Sequence, residues 1–577
     1  MHGGITAALE PDPPASAEPR LLTRVPIDTA RNPILEFPAG LMRQVQGTRY
    51  NLSTCTLRQT GSRRYGGRER GPTLMSEGRA KLQRYQTYID GEWVDAASGK
   101  TFETSDPYTG KPWALIPECD ETDVGRAVEA AHRAYASGPW PAMTPTARGK
   151  VMRRIASLIE KHADYLASIE VRDNGKLISE MAAQTRYMPE WFYYYGGLAD
   201  KIQGAVVPVD RPDHFNYILK EPVGVCAFIT PWNSPLMLTT WKLAPALAAG
   251  CTVVIKPSEY TSASLLEFMR LVIAEAEMPR GVINVVTGYG AVAGEPLVTH
   301  PKVAKVAFTG GTATGARVNE LAAKTFKKVS LELGGKSPNI VFDDCILDDA
   351  VSGAISGIFA ATGQTCIAGS RLLVQETIHD EFVGKLVAMA RQARLGDPSK
   401  PDTQVGPVTT PPQYKKILSY IDIARAEGGK CVLGGGPAAK EEGGGEFFVK
   451  PTIFTEVDNR MRIAQEEVFG PVLAVIKFKD EEDAIRIAND IAFGLGAGVW
   501  TQSIKRAHNM AKHIKAGTVW INTYRAVSFT MPFGGYKASG LGRENGMEAI
   551  EGYLQSKSVW INNGAGGGNP FIMKTAG

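Results

Sequence analysis

The chain has 577 residues, of which 44% are hydrophobic and 21% charged, and its net charge is +4. This length exceeds that of a single small core, so the sequence predicts several domains with large buried cores. No apolar run is long enough to span a bilayer, which argues against membrane association. The excess charge lies in residues 1–74, and the balanced remainder argues against nucleic-acid binding.

Residues 1–74 contain ten arginines, eight prolines and no lysine. This composition and its weak periodicity predict a disordered segment. The arginine content is typical of a transit peptide, but six acidic residues and the lack of a clear amphipathic helix argue against one. We favour a translation start at Met75, with the upstream stretch not native; the alternative is a genuine N-terminal extension.

The next distinctive elements begin at residue 204. In residues 204–222 the residue pattern alternates as in a β-strand on both sides of a Pro-Asp turn, which predicts a hairpin. This hairpin is too short to be a domain. Strands and helices then alternate, which predicts a doubly wound parallel sheet that binds its ligand at the carboxyl ends of the strands. The predicted strands are 223–229, 251–256, 281–286, 304–310 and 327–333, and the predicted helices include 234–250, closed by Gly250, and 261–277, capped by Thr261 or Ser262.

Polar residues follow two of these strands. "ITPWNSP" (229–235) contains Asn233, and "KPSE" (256–259) contains Lys256 and Glu259. A turn residue and a solvated ion pair are the ordinary interpretations. Because the carboxyl ends of parallel strands share one edge of the sheet, the two together favour a ligand site.

Two glycine-containing motifs come next. "FTGGTATG" (308–315) follows a strand and opens a helix, a position that suits either a phosphate or a tight packing turn. "LELGGKSPN" (331–339) places Glu332 in an apolar strand before a double glycine. Such a carboxylate is either half-buried with a partner or a base with a raised pKa.

The seven cysteines are scattered and form no CxxC pair, which argues against a disulfide framework or a metal site and favours reduced thiols in the cytoplasm. Cys226 and Cys251 lie in apolar runs and are predicted core residues. Cys366, in "GQTCIAGSR" (363–371), lies in a small polar stretch that is expected to expose its sulfur.

These motifs, followed by "EEVFGPV" (466–472) and "PFGGYKASGLGRE" (532–544), strongly resemble the NAD(P)-dependent aldehyde dehydrogenase superfamily, of the hydrolytic type, from about residue 85 to about 561. The resemblance implies an α/β fold with a doubly wound parallel-sheet cofactor domain, an α/β catalytic domain and a small β oligomerisation ribbon. The implied boundaries are 75–203 with 223–334 for the NAD-binding domain, 335–538 for the catalytic domain, and 204–222 with 554–563 for the ribbon. It also implies a homodimer or homotetramer. The hairpin at 204–222 and the strand-like segment at 556–562 are each expected to offer an edge that one subunit leaves unpaired and that pairs with another subunit.

The resemblance implies NAD-dependent oxidation of an aldehyde to a carboxylic acid. Cys366 matches the nucleophile, which attacks as a thiolate and forms a thiohemiacetal and then a thioester. Asn233 matches the oxyanion donor, Glu332 the general base that hydrolyses the thioester, and Lys242 a proton-relay lysine. The alternatives are a CoA-acylating relative, which generally lacks the base, and a non-catalytic protein on the same fold. The presence of Cys366, Asn233 and Glu332 argues against both.

The implied cofactor contacts belong to the strand ends and glycine motifs described above. Glu259 is expected to bond the adenosine ribose and to repel a 2′-phosphate, which favours NAD over NADP. Gly311 replaces a serine that is usual in the family, so one hydroxyl bond to the pyrophosphate is lost. The full set is Ile229, Thr230, Trp232, Lys256, Ser258, Glu259, Thr309, Gly310, Gly311, Gly315, Leu333, Glu467 and Phe469.

The implied substrate pocket is formed by Ser234, Trp241, Ala360, Arg525, Val527 and Phe533. Ser234, Ala360 and Val527 replace aromatic residues of many relatives, which predicts a wider and less apolar pocket unless bulky neighbours compensate. Arg525 is either a surface charge or a fork that binds a carboxylate. The expected substrate is therefore a bulky or polar aldehyde, including a semialdehyde with a distant carboxylate.

Overall fold

The computed structural model describes residues 82–565 and residue 571. The predictions for residues 1–74, including Cys55 and the start at Met75, lie outside these residues. The described residues belong to one compact unit, Arg79–Gly577. Within them, no helix is both long enough and apolar enough to cross a membrane.

The predicted doubly wound sheet is present and has six strands. In spatial order they are Ile283–Val285, Thr252–Lys256, Val225–Ile229, Val303–Thr309, Lys328–Glu332 and Gly540–Leu541. The first five are parallel, and the last pairs antiparallel with Lys328–Glu332. This arrangement brings the ends of 225–229, 252–256, 303–309 and 328–332 to one edge, where the candidate site residues lie.

A second sheet of seven strands follows in the chain. In spatial order its strands are Lys430–Leu433, Thr452–Thr455, Val472–Phe478, Arg371–Gln375, Pro338–Val341, Gly496–Trp500 and Thr518–Ile521. All pairs are parallel except the first, and buried side chains fill the space on both of its faces. The α/β class is therefore confirmed, whereas the proposed domain boundaries remain predictions.

Helices connect and cover these sheets. Helix Pro235–Ala249 is buried along its whole length and ends at Gly250, whose φ of 94° is the left-handed conformation expected of a glycine that ends a helix. Ser262 precedes the next helix as predicted, but its hydroxyl donates to the carbonyl of Ser258 and does not cap the helix. The α-helices are Glu121–Ala136, Pro139–Ala142, Pro145–Asn174, Ile178–Tyr187, Pro189–Leu198, Pro235–Ala249, Ala263–Phe268, Glu295–Thr299, Thr312–Ala323, Leu347–Phe359, His379–Ala390, Pro411–Ala426, Arg462–Gln465, Glu481–Asn489, Ile504–His513 and Glu548–Glu551.

The ribbon differs from the sequence prediction in one respect. The hairpin is present, because Ala205–Val206 pairs antiparallel with His214–Pro222. Strand Leu554–Asn562 then pairs antiparallel with His214–Pro222 over nine residues of the same chain. The expectation that both segments leave an unpaired edge was therefore wrong where the two strands meet. There they form backbone hydrogen bonds with each other within one chain.

Smaller sheets complete the described fold. Gln83–Arg84, Lys111–Pro117 and Thr101–Asp106 form a three-stranded sheet. Two-stranded pairs are formed by Thr87–Ile89 with Glu92–Val94, and by Phe493–Gly494 with Tyr536–Lys537. None of these small sheets contributes a predicted site residue.

Candidate active site

Three clefts contain nearly all of the predicted site residues. A cleft of about 420 Å³ is lined by Ile229, Thr230, Trp232, Lys256, Ser258, Glu259 and Thr309–Gly311. A narrow cleft of about 160 Å³ is lined by Trp232, Asn233, Thr309, Gly310, Gly311, Glu332, Leu333, Cys366, Glu467 and Phe469. A cavity of about 330 Å³ is lined by Asn233, Ser234, Trp241, Cys366, Arg525, Val527 and Phe533. Cys366 and Asn233 line both the narrow cleft and the cavity, so the two spaces meet at the sulfur.

Cys366 is half-buried, whereas the sequence predicted an exposed position. Burial, followed by the carboxyl groups of Glu467 and Glu332, raises the pKa of this thiol to about 12, while Lys176 acts in the opposite direction. After burial, these two carboxyl groups act on the sulfur more strongly than the positive charge of Lys176 does. Because the thiolate is the nucleophilic form of cysteine, this sulfur has to lose its proton before it can attack.

The double glycine after strand 328–332 allows two groups to approach closely. A Cβ on Gly335 would lie 2.5 Å from the carbonyl oxygen of Cys366, and one on Gly334 would lie 2.6 Å from Oε2 of Glu467. The N–H of Gly335 also donates to Oε1 of Glu467 at 2.9 Å. Any side chain at these positions would displace the nucleophile segment or Glu467, which explains the need for glycine.

Glu332 is only 4% exposed, and neither carboxyl oxygen has a hydrogen-bond partner in the described part of the chain. Burial first and then Glu544 raise its pKa well above the usual value, whereas Lys242 and Arg543 lower it. A carboxyl group with a raised pKa in a cleft beside a nucleophile is a candidate general base. This environment is the second of the two alternatives that the sequence left open.

Lys242 lies behind this base. Its Nζ donates to Oγ1 of Thr309 at 2.6 Å and forms a buried ion pair with Glu544. Since Glu544 also acts on the pKa of Glu332, the buried chain from Glu544 through Lys242 reaches the base electrostatically. Glu544 ends the motif at 532–544, but no role was predicted for it from the sequence.

Asn233 has a donor available at the sulfur. One N–H of its side-chain amide donates to the carbonyl oxygen of Gln364 at 3.1 Å. An amide nitrogen has two donors, so this bond orients the group and leaves the second N–H for another acceptor. Asn233 lines both spaces that contain Cys366, as an oxyanion donor must.

The largest of the three clefts has the groups that a dinucleotide requires. Lys256 is buried, with its Nζ 2.8 Å from the carbonyl oxygen of Pro257 and 3.7 Å from Oε2 of the half-buried Glu259. Helix Thr312–Ala323 begins at Gly311 without a side-chain cap, so the N–H groups of its first turn are available to an anion. A Cβ on Gly311 would have open space within 4 Å.

Gly315 has a different role from the one that the resemblance implied. It does not line any of the three clefts, and a Cβ there would lie 2.3 Å from Cδ2 of Leu333. It therefore permits the helix to pack closely on the sheet.

Two aromatic side chains line the narrow cleft. The rings of Trp232 and Phe469 meet edge to face with centroids 5.3 Å apart.

The cavity beyond Cys366 has both aromatic and polar walls. Trp241 contacts Phe533 edge to face at 5.1 Å and stacks on Trp191 at 6.1 Å. Tyr187 and Met237 add bulk that partly replaces the aromatic groups absent at Ser234 and Val527. Ala360 does not line this cavity. Arg525 has a φ of 64° and donates to the carbonyl oxygen of Ser356 at 3.2 Å.

Two further polar side chains near the cavity were not predicted from the sequence. Lys176 is buried, and its Nζ donates to Oγ of Ser234 at 2.9 Å. Gln184 lines the cavity with a buried carbonyl oxygen that has no partner in the described residues. Neither lies near a strand end or in a recognised motif, so only the tertiary structure brings them to the site.

A larger cleft of about 650 Å³ lies elsewhere, near Asp458 and Asp490. Two of its arginines pair with carboxylates of the same cleft, Arg460 with Asp458 and Arg486 with Asp483, and no cysteine or serine lines it. None of the predicted site residues lines this groove. Among residues 82–565 and 571, no cluster of three or more metal-ligating side chains occurs, and the six described cysteines are free thiols.

Comparisons with known proteins agree with this arrangement. The sequence model of the aldehyde dehydrogenase family matches residues 93–559. A (Z)-2-((N-methylformamido)methylene)-5-hydroxybutyrolactone dehydrogenase of Acinetobacter baylyi is 45% identical, over 85% of this chain and 100% of that protein. Aldehyde dehydrogenase 1 of Tanacetum cinerariifolium is 46% identical, over 82% and 94%.

Solved structures show the same relationship. An NAD⁺ complex of an aldehyde dehydrogenase from Bacillus cereus has a TM-score of 0.81 and 44% identity, over 83% of this chain and 97% of that one. A betaine aldehyde dehydrogenase from Staphylococcus aureus, also with NAD⁺, has a TM-score of 0.82 and 42% identity, over 85% and 99%. The chain belongs to the aldehyde dehydrogenase family, and the resemblance seen in the sequence is confirmed. The protein is therefore an aldehyde dehydrogenase, which is an oxidoreductase.

Proposed function

We propose that this enzyme oxidises an aldehyde to the free carboxylic acid, with NAD as the cofactor and Cys366 as the nucleophile. The observation that supports this most strongly is that Cys366, Asn233 and Glu332 line one narrow cleft, continuous with the groups suited to a dinucleotide. The experiment is an NADH absorbance assay with a panel of aldehydes, together with identification of the product. A CoA thioester that forms only when CoA is added would favour the acylating alternative.

The chain's own groups account for the covalent steps. The thiol of Cys366 loses its proton to solvent, and the sulfur adds to the aldehyde carbon to form a thiohemiacetal. The free N–H of Asn233 and the backbone N–H of Cys366 hold the resulting oxyanion. Loss of the former aldehyde hydrogen as a hydride, for which NAD would be the acceptor, would leave a thioester on the same sulfur. Glu332, as the carboxylate, then removes a proton from water, which attacks the thioester and releases the acid.

The residues present fit a dinucleotide. Glu259 and Lys256 would hold the adenosine ribose, and the uncapped N-terminus of helix Thr312–Ala323 would hold the pyrophosphate. Glu467, which lines the same cleft as Cys366, would hold the second ribose. NAD, when bound, supplies the acceptor for a hydride and a positively charged ring. The carboxylate of Glu259 disfavours the extra phosphate of NADP.

Gly311 provides a direct test of the pyrophosphate position. Gly311→Ser is expected to lower the KM for NAD by about two- to tenfold, because the added hydroxyl would gain one hydrogen bond. The backbone there is extended, with φ −68° and ψ 146°, so serine is tolerated and also suits the start of a helix. The matched control is Gly311→Ala, which fills the same space without a hydroxyl. Equal KM values in the two variants would contradict this placement.

The substrate that fits best is a bulky or polar aldehyde, including a semialdehyde. Arg525 lines the cavity, and two of its neighbours in the wall are the small residues Ser234 and Val527. The name of the Acinetobacter baylyi relative, a hydroxybutyrolactone dehydrogenase, describes an oxygen-rich substrate and supports a polar pocket. Betaine aldehyde, in the name of a solved relative, bears a cation that Arg525 would disfavour here.

We also propose that the ribbon mediates self-association into a dimer or tetramer. Val206, Phe215, Leu219 and Ile561 share one face of the ribbon and are 67%, 44%, 39% and 40% exposed. A contiguous exposed apolar face of this kind favours burial against a second copy of the chain.

Phe215→Asp is expected to shift the protein to smaller assemblies in light scattering at micromolar concentration, because it places a charge in this apolar face. The control is Ser558→Asp, which places the same charge on the opposite face of the ribbon. A native protein that is already monomeric, or an equal shift in both variants, would contradict the assignment of this face.

A further inference from the structure

The wall of the cavity has polar groups that the proposed chemistry does not use. Nε1 of Trp241 and Oε1 of Gln184 are buried and lack hydrogen-bond partners in the described residues. Both residues line the same cavity as Cys366. A buried polar atom without a partner is unfavourable, so a ligand that pairs with it is bound more tightly.

Lys176 determines how the hydroxyl of Ser234 is used. The ammonium group of Lys176 donates to Oγ of Ser234 at 2.9 Å. An ammonium group can only donate hydrogen bonds and cannot accept one. Ser234 must therefore accept in this bond, and its own proton remains for another partner. Ser234 precedes helix Pro235–Ala249, yet its side chain does not cap this helix. Since Ser234 lines the cavity, its hydroxyl is available as a donor to a substrate.

Lys176 is buried, and Ser234 is the partner that its Nζ has among the described residues. The carboxyl groups of Glu180 and Glu170 favour its charged form, whereas Arg525 opposes it. Oε1 of Glu180 also accepts from the backbone N–H of Ala361 at 2.6 Å, in the segment before the nucleophile. With Lys176 only 3% exposed, its Nζ has little freedom to choose another partner.

Resting on the proposed function, we infer that Ser234 and Trp241 select aldehydes that have an acceptor oxygen on a carbon close to the carbonyl. Ser234 directly follows Asn233, the proposed oxyanion donor, and consecutive Cα atoms are about 3.8 Å apart. The donated proton therefore reaches the substrate near its reacting end, whereas Arg525 acts on a more distant group. A substrate hydroxyl has the further advantage that it can donate to Oε1 of Gln184. Ser234 is a specificity-determining residue and Lys176 a positioning residue.

The test compares methoxyacetaldehyde with butanal, because an ether oxygen replaces one methylene group in an otherwise similar chain. The quantity measured is the ratio of kcat/KM for the two aldehydes. Ser234→Ala is expected to lower this ratio by about two- to tenfold, the effect of one lost hydrogen bond. Comparison of native and variant enzymes cancels the different intrinsic reactivity of the two aldehydes. An unchanged ratio in Ser234→Ala would overturn the inference.

The positioning role of Lys176 is tested with the same ratio of kcat/KM values, because Lys176 is inferred to act through Ser234. Lys176→Met is expected to lower the same ratio mainly through KM, and Lys176→Arg, which keeps a cationic donor, is expected to restore most of it. Equal ratios in these two variants would show that Lys176 has no positioning role. The surface variant Lys161→Met is the control and is expected to retain the native ratio. If Lys176→Met does not fold, Ser234→Ala alone decides whether the donor selects the substrate.

The Arg525→Ala variant separates recognition of an oxygen close to the carbonyl from recognition of a distant carboxylate. It is expected to reduce kcat/KM for 4-oxobutanoate, whose carboxylate is distant, while the methoxyacetaldehyde to butanal ratio stays near the native value. A fall of that ratio in Arg525→Ala as large as in Ser234→Ala would overturn the assignment of the near oxygen to Ser234. A native enzyme that forms no NADH from any aldehyde would instead refute the proposed function.

Discussion

Cys366→Ala is expected to reduce kcat by a factor on the order of 10⁴–10⁶, because the proposed thioester forms on this sulfur. Cys366 is the cysteine that lines both the narrow cleft and the cavity, and it is half-buried there. Binding of NAD, followed by calorimetry, is expected to persist, since most of the proposed dinucleotide contacts line the larger cleft, which Cys366 does not line. The measurement is the rate of NADH formation under saturating aldehyde.

Cys345→Ala is the matched control for this variant. Cys345 is also a partly exposed free thiol, but it lies outside the three clefts. It is expected to retain the native rate. Turnover by Cys366→Ala within tenfold of the native enzyme, roughly the effect of one hydrogen bond, would exclude the covalent mechanism.

Glu332→Gln is expected to lower steady-state turnover by about 10²–10⁴ while an initial burst of NADH remains. The substitution keeps the shape of the side chain and removes the base that activates water, so the thioester accumulates. A stopped-flow absorbance trace would show a burst of about one NADH per active site, followed by slow turnover. A variant that loses the burst and the steady state to the same extent would contradict this role.

The pH profile gives an independent signature of the same residue. The base is active as the carboxylate, and burial with Glu544 raises its pKa well above the ordinary value. Hydrolysis is therefore fully active above this raised pKa and is lost as the pH falls through it. Native turnover is expected to rise toward alkaline pH, and this rise is expected to be absent in Glu332→Gln.

The sequence predicted the alternating strands and helices well because each has a clear local signal. Glycine ends helix Pro235–Ala249, and apolar runs mark strands such as Val225–Ile229. The parallel sheet brings separate strand ends to one edge, so the sequence alone could predict that Asn233 and Glu259, which follow two of these strands, lie near each other.

Groups that depend on long-range packing were not predicted. Lys176 reaches Ser234 across 58 positions of sequence, and Lys242 reaches Glu544 across 302. The protonation state of Cys366 depends on two carboxyl groups from other segments, Glu467 and Glu332. A sequence pattern reports neighbours along the chain, so it does not reveal such pairs.

In the proposed mechanism the aldehyde becomes covalently attached to Cys366 during turnover. Mass spectrometry of Glu332→Gln, quenched with acid after mixing with NAD and an aldehyde, detects this attachment. We predict a single added acyl group on the peptide that contains Cys366, in amounts that match the burst of NADH. NADH formation without this adduct, or an adduct on a different residue, would contradict the mechanism.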